Sequence, residues 1–193
     1  MKKFRLYKFR FIILIIVLAI ISGNKLISEH GSTQQNTTKE SAQLVEAHLE
    51  RIVDGDTLVV TTSSGEQKIR LLEINTPESV HSDKEKNCKE GEIASNFTKE
   101  FLQSYSTLYL SYDKEKTDQY GRTLAYVWLK NNVDINNMED VENNCLNAIL
   151  IKEGMAEVII YPPNDMYSTL FLALESEAQQ THTGLWATEV FYE

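Results

Sequence analysis

The chain has 193 residues and carries 19 Lys and Arg against 28 Asp and Glu, a formal net charge of −9 at pH 7. This length suffices for one ordinary domain with its own core and hardly for two. Five of the cations fall within the first ten residues, so 14 remain against 28 acids in the rest. Such acidity excludes a protein that binds nucleic acid through a broad basic face, and any chemistry on phosphate must depend on a few local cations or a metal ion.

The N-terminus has the anatomy of an export signal. The first ten residues are basic, and residues 11–22 form an almost unbroken apolar run. The run is shorter than the roughly 20 residues that cross a bilayer, which favours a cleavable signal, whereas Ile20 and Ile21 near its end favour an uncleaved membrane anchor. We expect residues 1–23 to be one or the other. In both cases the protein is exported, either secreted or anchored to the outer face of the membrane.

The rest of the chain predicts a spacer followed by one mainly β domain. Residues 24–44 are polar and lack apolar periodicity, which is typical of a flexible linker. Short β-prone runs separated by turn residues predict five strands, at 45–53, 57–62, 67–74, 107–112 and 123–130. Apolar residues at helical spacing predict three helices, at 91–103, at 146–153 and around 167–178. Five short strands with a few helices fit a small closed barrel.

The chain has only two cysteines, Cys88 and Cys145. Export would place both in an oxidising compartment, where two thiols usually pair. We therefore expect a disulfide between them, and a zinc site is not indicated.

Three clusters of polar residues have local structural explanations when each is taken alone. The first, Asp54-Gly55-Asp56, has the composition of a tight turn. The second, residues 70–78, ends in Thr76-Pro77-Glu78, which is typical of a helix start. The third, residues 118–122, contains a glycine turn that leads into a strand.

Taken together, the clusters supply what phosphodiester hydrolysis requires. The Asp56 carboxylate, the Asn75 amide oxygen and a backbone carbonyl near Thr76 are hard ligands that suit Ca²⁺. The guanidinium groups of Arg70 and Arg122 can bind phosphate oxygens in pairs and stabilise the charge of the transition state. The carboxylate of Glu78 can accept a proton from an attacking water or orient it.

The strings VDGDT, IRLLEINTPES, EIASNFTKEF, TDQYGRTLAYV, IKEGMAEV and GLW, in this order, resemble the staphylococcal nuclease family over roughly residues 45–190. The resemblance implies a five-stranded OB-fold barrel with three helices, of the α+β, mainly β class, in residues 45–193. It also implies calcium-dependent endonucleolytic cleavage of DNA and RNA to 3′-phosphate products. The roles carried over are calcium ligands (Asp56, Asn75, Thr76), phosphate binding (Arg70, Arg122), general base or water positioning (Glu78) and a nucleotide pocket (Tyr120, Tyr161).

Four positions depart from the family pattern. Asn75 stands in place of a second calcium-ligand aspartate, which should weaken calcium binding without removing the oxygen ligand. Gln119 replaces a lysine near the nucleotide, and residues 158–161 are one residue short and lack one pocket tyrosine. The segment 131–145 is longer than its family counterpart.

Two other functions compete with a nuclease. A barrel of this kind also serves as a non-catalytic module that binds single-stranded nucleic acid, but such a module is expected to lose Asp56, Glu78 or one arginine. A surface adhesion domain explains the export signal and the acidity but not the clustered motifs. No protein partner is inferred, and a monomer is expected.

Overall fold

The computed structural model describes residues 44–79 and 88–191. The predicted export segment, residues 1–23, and nearly all of the predicted spacer, residues 24–44, lie outside these ranges and stay predictions. Within them, no helix combines the length and the apolar character needed to cross a bilayer.

Seven strands and four α-helices are found along the described residues. The strands are β1 (Val45–Asp54), β2 (Thr57–Thr62), β3 (Gly65–Leu71), β4 (Ile74–Asn75), β5 (Thr107–Ser111), β6 (Thr123–Trp128) and β7 (Glu157–Val158). The helices are α1 (Lys89–Leu102), α2 (Met138–Asn144), α3 (Leu146–Lys152) and α4 (Ser168–Thr181), with a short 3₁₀ helix at Gly184–Ala187.

Five of the strands close into a barrel in the order β1-β2-β3-β6-β5. The pair β3 and β6 is parallel, and the other neighbours are antiparallel. Inward-facing side chains alternate along barrel strands and fill the interior. Here they are aliphatic and completely buried, as in Leu58, Val60, Ile69, Leu108 and Leu110. The predicted five-stranded barrel of the mainly β class is confirmed.

An aromatic cluster joins α4 to the barrel. The ring of Tyr126 on β6 meets that of Tyr167, the residue before α4, edge to face with centroids 4.6 Å apart. Phe171 on α4 packs edge-on against the same Tyr126 ring and is fully buried. Because aromatic pairs add about 0.5–1.5 kcal/mol beyond the area they bury, this cluster fixes α4 and the loop before it against β6.

The third barrel strand ends earlier than predicted. We expected a strand over 67–74, but β3 stops at Leu71, and Glu73 adopts a left-handed backbone conformation with φ of 59°. Few residues other than glycine favour that conformation, and a glutamate at 73 therefore gives no sequence signal for this turn. After the turn, β4 leaves the barrel wall and pairs with β7 in a separate two-stranded sheet.

The expectation of three helices is also corrected. All three predicted helices are present, but α2 lies within the segment 131–145, where no helix was predicted. The Asn137 side chain caps it by accepting a hydrogen bond from Asp140 N, and Glu139 and Asp140 lie in its first turn. Only Val141 of this helix is buried, so its sequence lacks the apolar periodicity that predicts a helix.

The predicted disulfide is wrong in this structure, because Cys88 and Cys145 are both free thiols. The Cys145 side chain is completely buried and donates to Asn147 Oδ1 at 3.6 Å. Cys88 instead caps α1, where its sulfur accepts from Gly91 N at 3.4 Å. The oxidising compartment favoured a bond, but each sulfur is engaged in a separate local environment.

The two thiols should therefore differ in reactivity. Burial raises the pKa of the Cys145 thiol to about 12, and thiols react as thiolates. We expect alkylation of the folded protein with iodoacetamide at pH 8 to modify Cys88 alone, and both cysteines to react in denaturant. Intact-mass analysis checks this: a folded protein with no modified thiol, or two, contradicts the assignment.

Candidate active site

A cleft of about 490 Å³ lies where β3, β4 and the segment before β6 meet. Six of the eight predicted catalytic, metal and substrate residues line it: Arg70, Asn75, Glu78, Tyr120, Arg122 and Tyr161. The other two, Asp56 and Thr76, are buried and connect to it through hydrogen bonds. The fold thus brings together residues from three sequence clusters that had separate structural explanations.

Asp56 lies in the turn between β1 and β2 and is 6% exposed. Its Oδ2 accepts hydrogen bonds from Thr76 N at 2.9 Å and from the Thr76 hydroxyl at 3.1 Å. Its Oδ1 accepts from the Thr57 hydroxyl at 3.0 Å. Gly55 is needed beside it, since a Cβ there would lie 2.7 Å from Thr76 Oγ1. The carboxylate is therefore fixed, and it holds Thr76 close to the cleft.

Arg70 on β3 donates three hydrogen bonds and forms one ion pair. One terminal nitrogen donates to the carbonyls of Leu71 and Ile74, at 2.7 and 2.8 Å. The other contacts Asn75 Oδ1 at 3.1 Å and Asp56 Oδ2 at 3.2 Å. Arg70 therefore closes the turn from β3 to β4 and brings Asp56 and Asn75 to the same place.

Two oxygens beside Arg70 are of the chemical type that binds a hard cation. Asp56 Oδ2 and Asn75 Oδ1 converge on one positively charged nitrogen. Carboxylate and amide oxygens are the ligands that Ca²⁺ prefers. Across residues 44–79 and 88–191, no three His, Cys, Asp or Glu side chains form a metal cluster. A cation here would rely on one carboxylate and neutral oxygens.

Arg122 precedes β6 and is oriented by Asp118. Its Nε donates to Asp118 Oδ2 at 2.6 Å, and the backbone N–H groups of Tyr120 and Arg122 both donate to Asp118 Oδ1 at 2.9 Å. Burial acts to raise the pKa of Asp118, but the hydrogen bonds from Arg122 outweigh it and lower that pKa. Asp118 therefore stays ionised at neutral pH. Because only Nε is engaged, both terminal nitrogens are free of hydrogen bonds to the described residues.

The two predicted pocket tyrosines present exposed rings at the cleft. Tyr120 is 75% exposed and Tyr161 is 68% exposed. The Arg122 guanidinium lies 5.5 Å from the centroid of the Tyr120 ring. Flat apolar surface thus borders the positive charge, an arrangement suited to a ligand with both rings and phosphates.

Glu78 is exposed in the cleft, and its backbone is packed against the start of α1. Its carbonyl oxygen accepts from Cys88 N at 3.0 Å. A Cβ on Gly91 would lie only 2.2 Å from that oxygen and 2.8 Å from the Pro77 carbonyl oxygen. Glycine at 91 therefore allows α1 to approach and to fix the segment that carries Glu78.

Replacing Gly91 with alanine should destabilise the fold. Alanine is favoured over glycine in a helix by about 1 kcal/mol, but the clash with backbone atoms should dominate and lower the unfolding free energy by about 1–3 kcal/mol. Urea denaturation measures the change. Ser95→Ala is the matched control in the same helix, because the buried Ser95 hydroxyl has no partner among the described residues. A stabilised Gly91→Ala variant contradicts this packing.

Glu73 is a buried carboxyl group at the cleft for which the sequence predicted no role. It is 4% exposed, and its Oε1 accepts from the Tyr126 hydroxyl and from Tyr167 N. Its other oxygen, Oε2, has no partner among the described residues. Burial raises the pKa of Glu73 above the usual 4.5, against the opposing effect of the two hydrogen bonds. The carboxyl connects the turn before β4 to β6 and to the start of α4.

This raised pKa predicts a pH-dependent stability. Above pH 4.5 and up to its folded pKa, the folded protein holds the Glu73 proton more tightly than the unfolded chain, so the unfolding free energy falls as pH rises. One pKa unit corresponds to about 1.4 kcal/mol. Relative to Glu73→Gln, the wild type should therefore lose stability in urea denaturation as the pH rises above 4.5. A difference between the two proteins that does not vary with pH contradicts the prediction.

Three further site residues were not predicted. Asp118 has a local signal, since it stands four residues before Arg122 across a glycine turn. Gly91 and Glu157 have none: Glu157 Oε1 accepts from Asn75 Nδ2 at 3.0 Å, across 82 residues of sequence. The contact between Asn75 and Glu157 depends on how β4 and β7 pair.

Comparisons with known proteins identify the family of the chain. Residues 68–188 match the family described as Staphylococcal nuclease homologue. A thermonuclease of Staphylococcus intermedius is 37% identical over 72% of this chain and 74% of its own length. A thermonuclease of Staphylococcus hyicus is 29% identical, over 91% and 95%. Endonuclease YncB of Bacillus subtilis (strain 168) is 33% identical, over 86% and 75%. The resemblance seen in the sequence is thus confirmed, and the chain belongs to the staphylococcal nuclease family.

Proposed function

We propose that this chain is an exported, calcium-dependent endonuclease that hydrolyses phosphodiester bonds of DNA or RNA and leaves 3′-phosphate ends. One observation carries most of the support. A single cleft combines the Arg122 guanidinium, whose terminal nitrogens make no hydrogen bond to the described residues, with an exposed carboxylate and a convergent pair of hard oxygen ligands. Its thermonuclease and endonuclease relatives favour the same activity.

The cleft residues divide the chemistry between them. Arg122, held by Asp118 through Nε, offers its terminal nitrogens to the phosphate oxygens and to the charge that develops on them. Glu78 accepts a proton from the water that attacks phosphorus, or orients that water. The bond from phosphorus to the 5′ oxygen breaks as the water oxygen bonds to phosphorus, and the leaving oxygen takes a proton from solvent, which leaves a 3′-phosphate and a 5′-hydroxyl. Tyr120 and Tyr161 offer exposed rings on which bases can stack.

Asp56, Asn75 and the backbone carbonyl of Thr76 are the groups that would hold calcium. When bound, calcium would supply positive charge to the phosphate and to its attacking water. The acidic chain needs that local charge, because its net charge of −9 repels the substrate. Arg70 positions two of these ligands and adds charge beside them.

The alternative is a barrel that binds single-stranded nucleic acid without cutting it. A zymogram with DNA in the gel distinguishes the two. We expect clearing with calcium, none with EDTA, and none for Glu78→Gln in calcium. Retention of labelled single-stranded DNA in a gel-shift assay without any clearing would favour the binding module.

Export is supported by the basic start and the apolar run at residues 11–22. Fractionation of expressing cells tests it, and N-terminal sequencing of the exported protein distinguishes cleavage from anchoring. Protein found only in the cytoplasm would contradict export and leave the nuclease proposal intact.

A further inference from the structure

Asn75 is held between an obligate donor and an obligate acceptor. Its Oδ1 accepts from an Arg70 terminal nitrogen at 3.1 Å, and its Nδ2 donates to Glu157 Oε1 at 3.0 Å. A guanidinium group can only donate, and an ionised carboxylate can only accept. The amide therefore has one consistent orientation, with its oxygen towards Arg70, which also contacts Asp56, and its nitrogen towards Glu157.

The pairing of β4 with β7 places the Asn75 and Glu157 side chains opposite each other. Asn75 and Glu157 are direct partners in the β4–β7 register, and side chains at such positions interact across the strands. The Glu73 carbonyl also accepts from Ile159 N at 3.1 Å, which extends the attachment of the turn to β7. Both side chains are half-buried.

We infer that Glu157 is the residue that positions the Asn75 amide, so that its oxygen is presented as a metal ligand beside Asp56. The inference rests on the proposed calcium site and assigns a function to a residue on a different strand. Its consequence is that the residue types at 75 and 157 are matched. An asparagine at 75 suits a carboxylate at 157, because its amide nitrogen donates the hydrogen bond that the carboxylate accepts.

An aspartate at 75 would break this match. Its second oxygen would stand where Asn75 Nδ2 now stands, next to the Glu157 carboxylate, and two carboxylates in contact repel. Restoring the family aspartate alone should therefore gain little calcium affinity. A glutamine at 157 can donate to that oxygen, so the gain should appear only when both residues change.

Calorimetric calcium titrations without nucleic acid test the coupling. The proteins are the wild type, Glu157→Ala, Glu157→Gln, Asn75→Asp and the double variant Asn75→Asp with Glu157→Gln. Thermal unfolding confirms that each is folded. Glu175→Gln is the control, because the Glu175 carboxylate accepts a hydrogen bond from Val158 N on the same strand at 2.7 Å. This substitution removes one negative charge and leaves the Asn75 contacts unchanged.

We expect Glu157→Ala to weaken calcium affinity about 5-fold and Glu157→Gln to restore most of that loss, because Gln keeps an acceptor for the amide. The double variant should bind calcium about 10-fold more tightly than Asn75→Asp alone. Independent effects of the two substitutions, or an equal loss in Glu175→Gln and Glu157→Ala, would overturn the inference while leaving the calcium site in place. A wild type that binds no calcium would overturn the site itself and the inference with it.

Discussion

Replacing Arg122 with lysine is expected to lower the rate of DNA hydrolysis about 100-fold or more. The guanidinium uses Nε for Asp118 at 2.6 Å, and its terminal nitrogens, which make no hydrogen bond within the described ranges, can bind phosphate as proposed. A lysine ammonium is a single point of charge, so it cannot bind Asp118 and two phosphate oxygens with the same geometry. Steady-state kinetics on double-stranded DNA, with calcium in excess, measure the change in kcat.

Arg51→Lys is the matched control, because Arg51 is an exposed residue on β1 and does not line the cleft. It should keep the wild-type rate. The kcat of Asp118→Asn should lie between those of Arg122→Lys and Arg51→Lys. An Asn at 118 still accepts hydrogen bonds from the backbone, but it has no charge to pair with the Arg122 guanidinium. A normal kcat for Arg122→Lys would make Arg122 a structural residue of the turn before β6.

Replacing Glu78 with glutamine is expected to lower kcat about 100-fold to 1,000-fold. The amide keeps the size of the side chain but cannot accept a proton from the attacking water. Because the Glu78 backbone is held by Cys88 N and packed against Gly91, the variant should fold normally and still bind DNA. Single-turnover cleavage with calcium, together with a DNA-binding titration, separates the loss of chemistry from a loss of affinity.

Glu115→Gln is the control for Glu78, since Glu115 is another exposed carboxylate that lines the same cleft. Removing its charge should leave cleavage unchanged or slightly faster, because it reduces repulsion of phosphate. Equal losses in the two variants would mean that the charge of the cleft, and not proton transfer to Glu78, controls the rate.

Local sequence patterns predicted the parts of the site that lie on short motifs. Arg70, Asn75 and Glu78 fall within nine residues, and Arg122 follows a glycine turn. Their chemistry was therefore visible as clusters, even though each cluster alone had a structural explanation. The barrel strands were predictable for the same reason, since alternation and turn residues are local signals.

Contacts between distant segments were not predictable in this way. The Glu73 carboxyl takes a hydrogen bond from Tyr167 N, 94 residues away, and Glu157 reaches Asn75 only because β4 turns away from the barrel. The turn itself depends on a left-handed residue that is not glycine. The disulfide prediction failed similarly, because compartment says nothing about the burial of Cys145.

The most direct test of the account is the cleavage of a labelled DNA oligonucleotide by the purified protein, with calcium or with EDTA, followed by analysis of the product ends. We predict cleavage at internal positions in calcium, products with 3′-phosphate and 5′-hydroxyl ends, and no cleavage in EDTA. Equal cleavage by EDTA-stripped and calcium-loaded protein would contradict the metal site proposed around Asp56 and Asn75, and intact DNA under both conditions would contradict a nuclease.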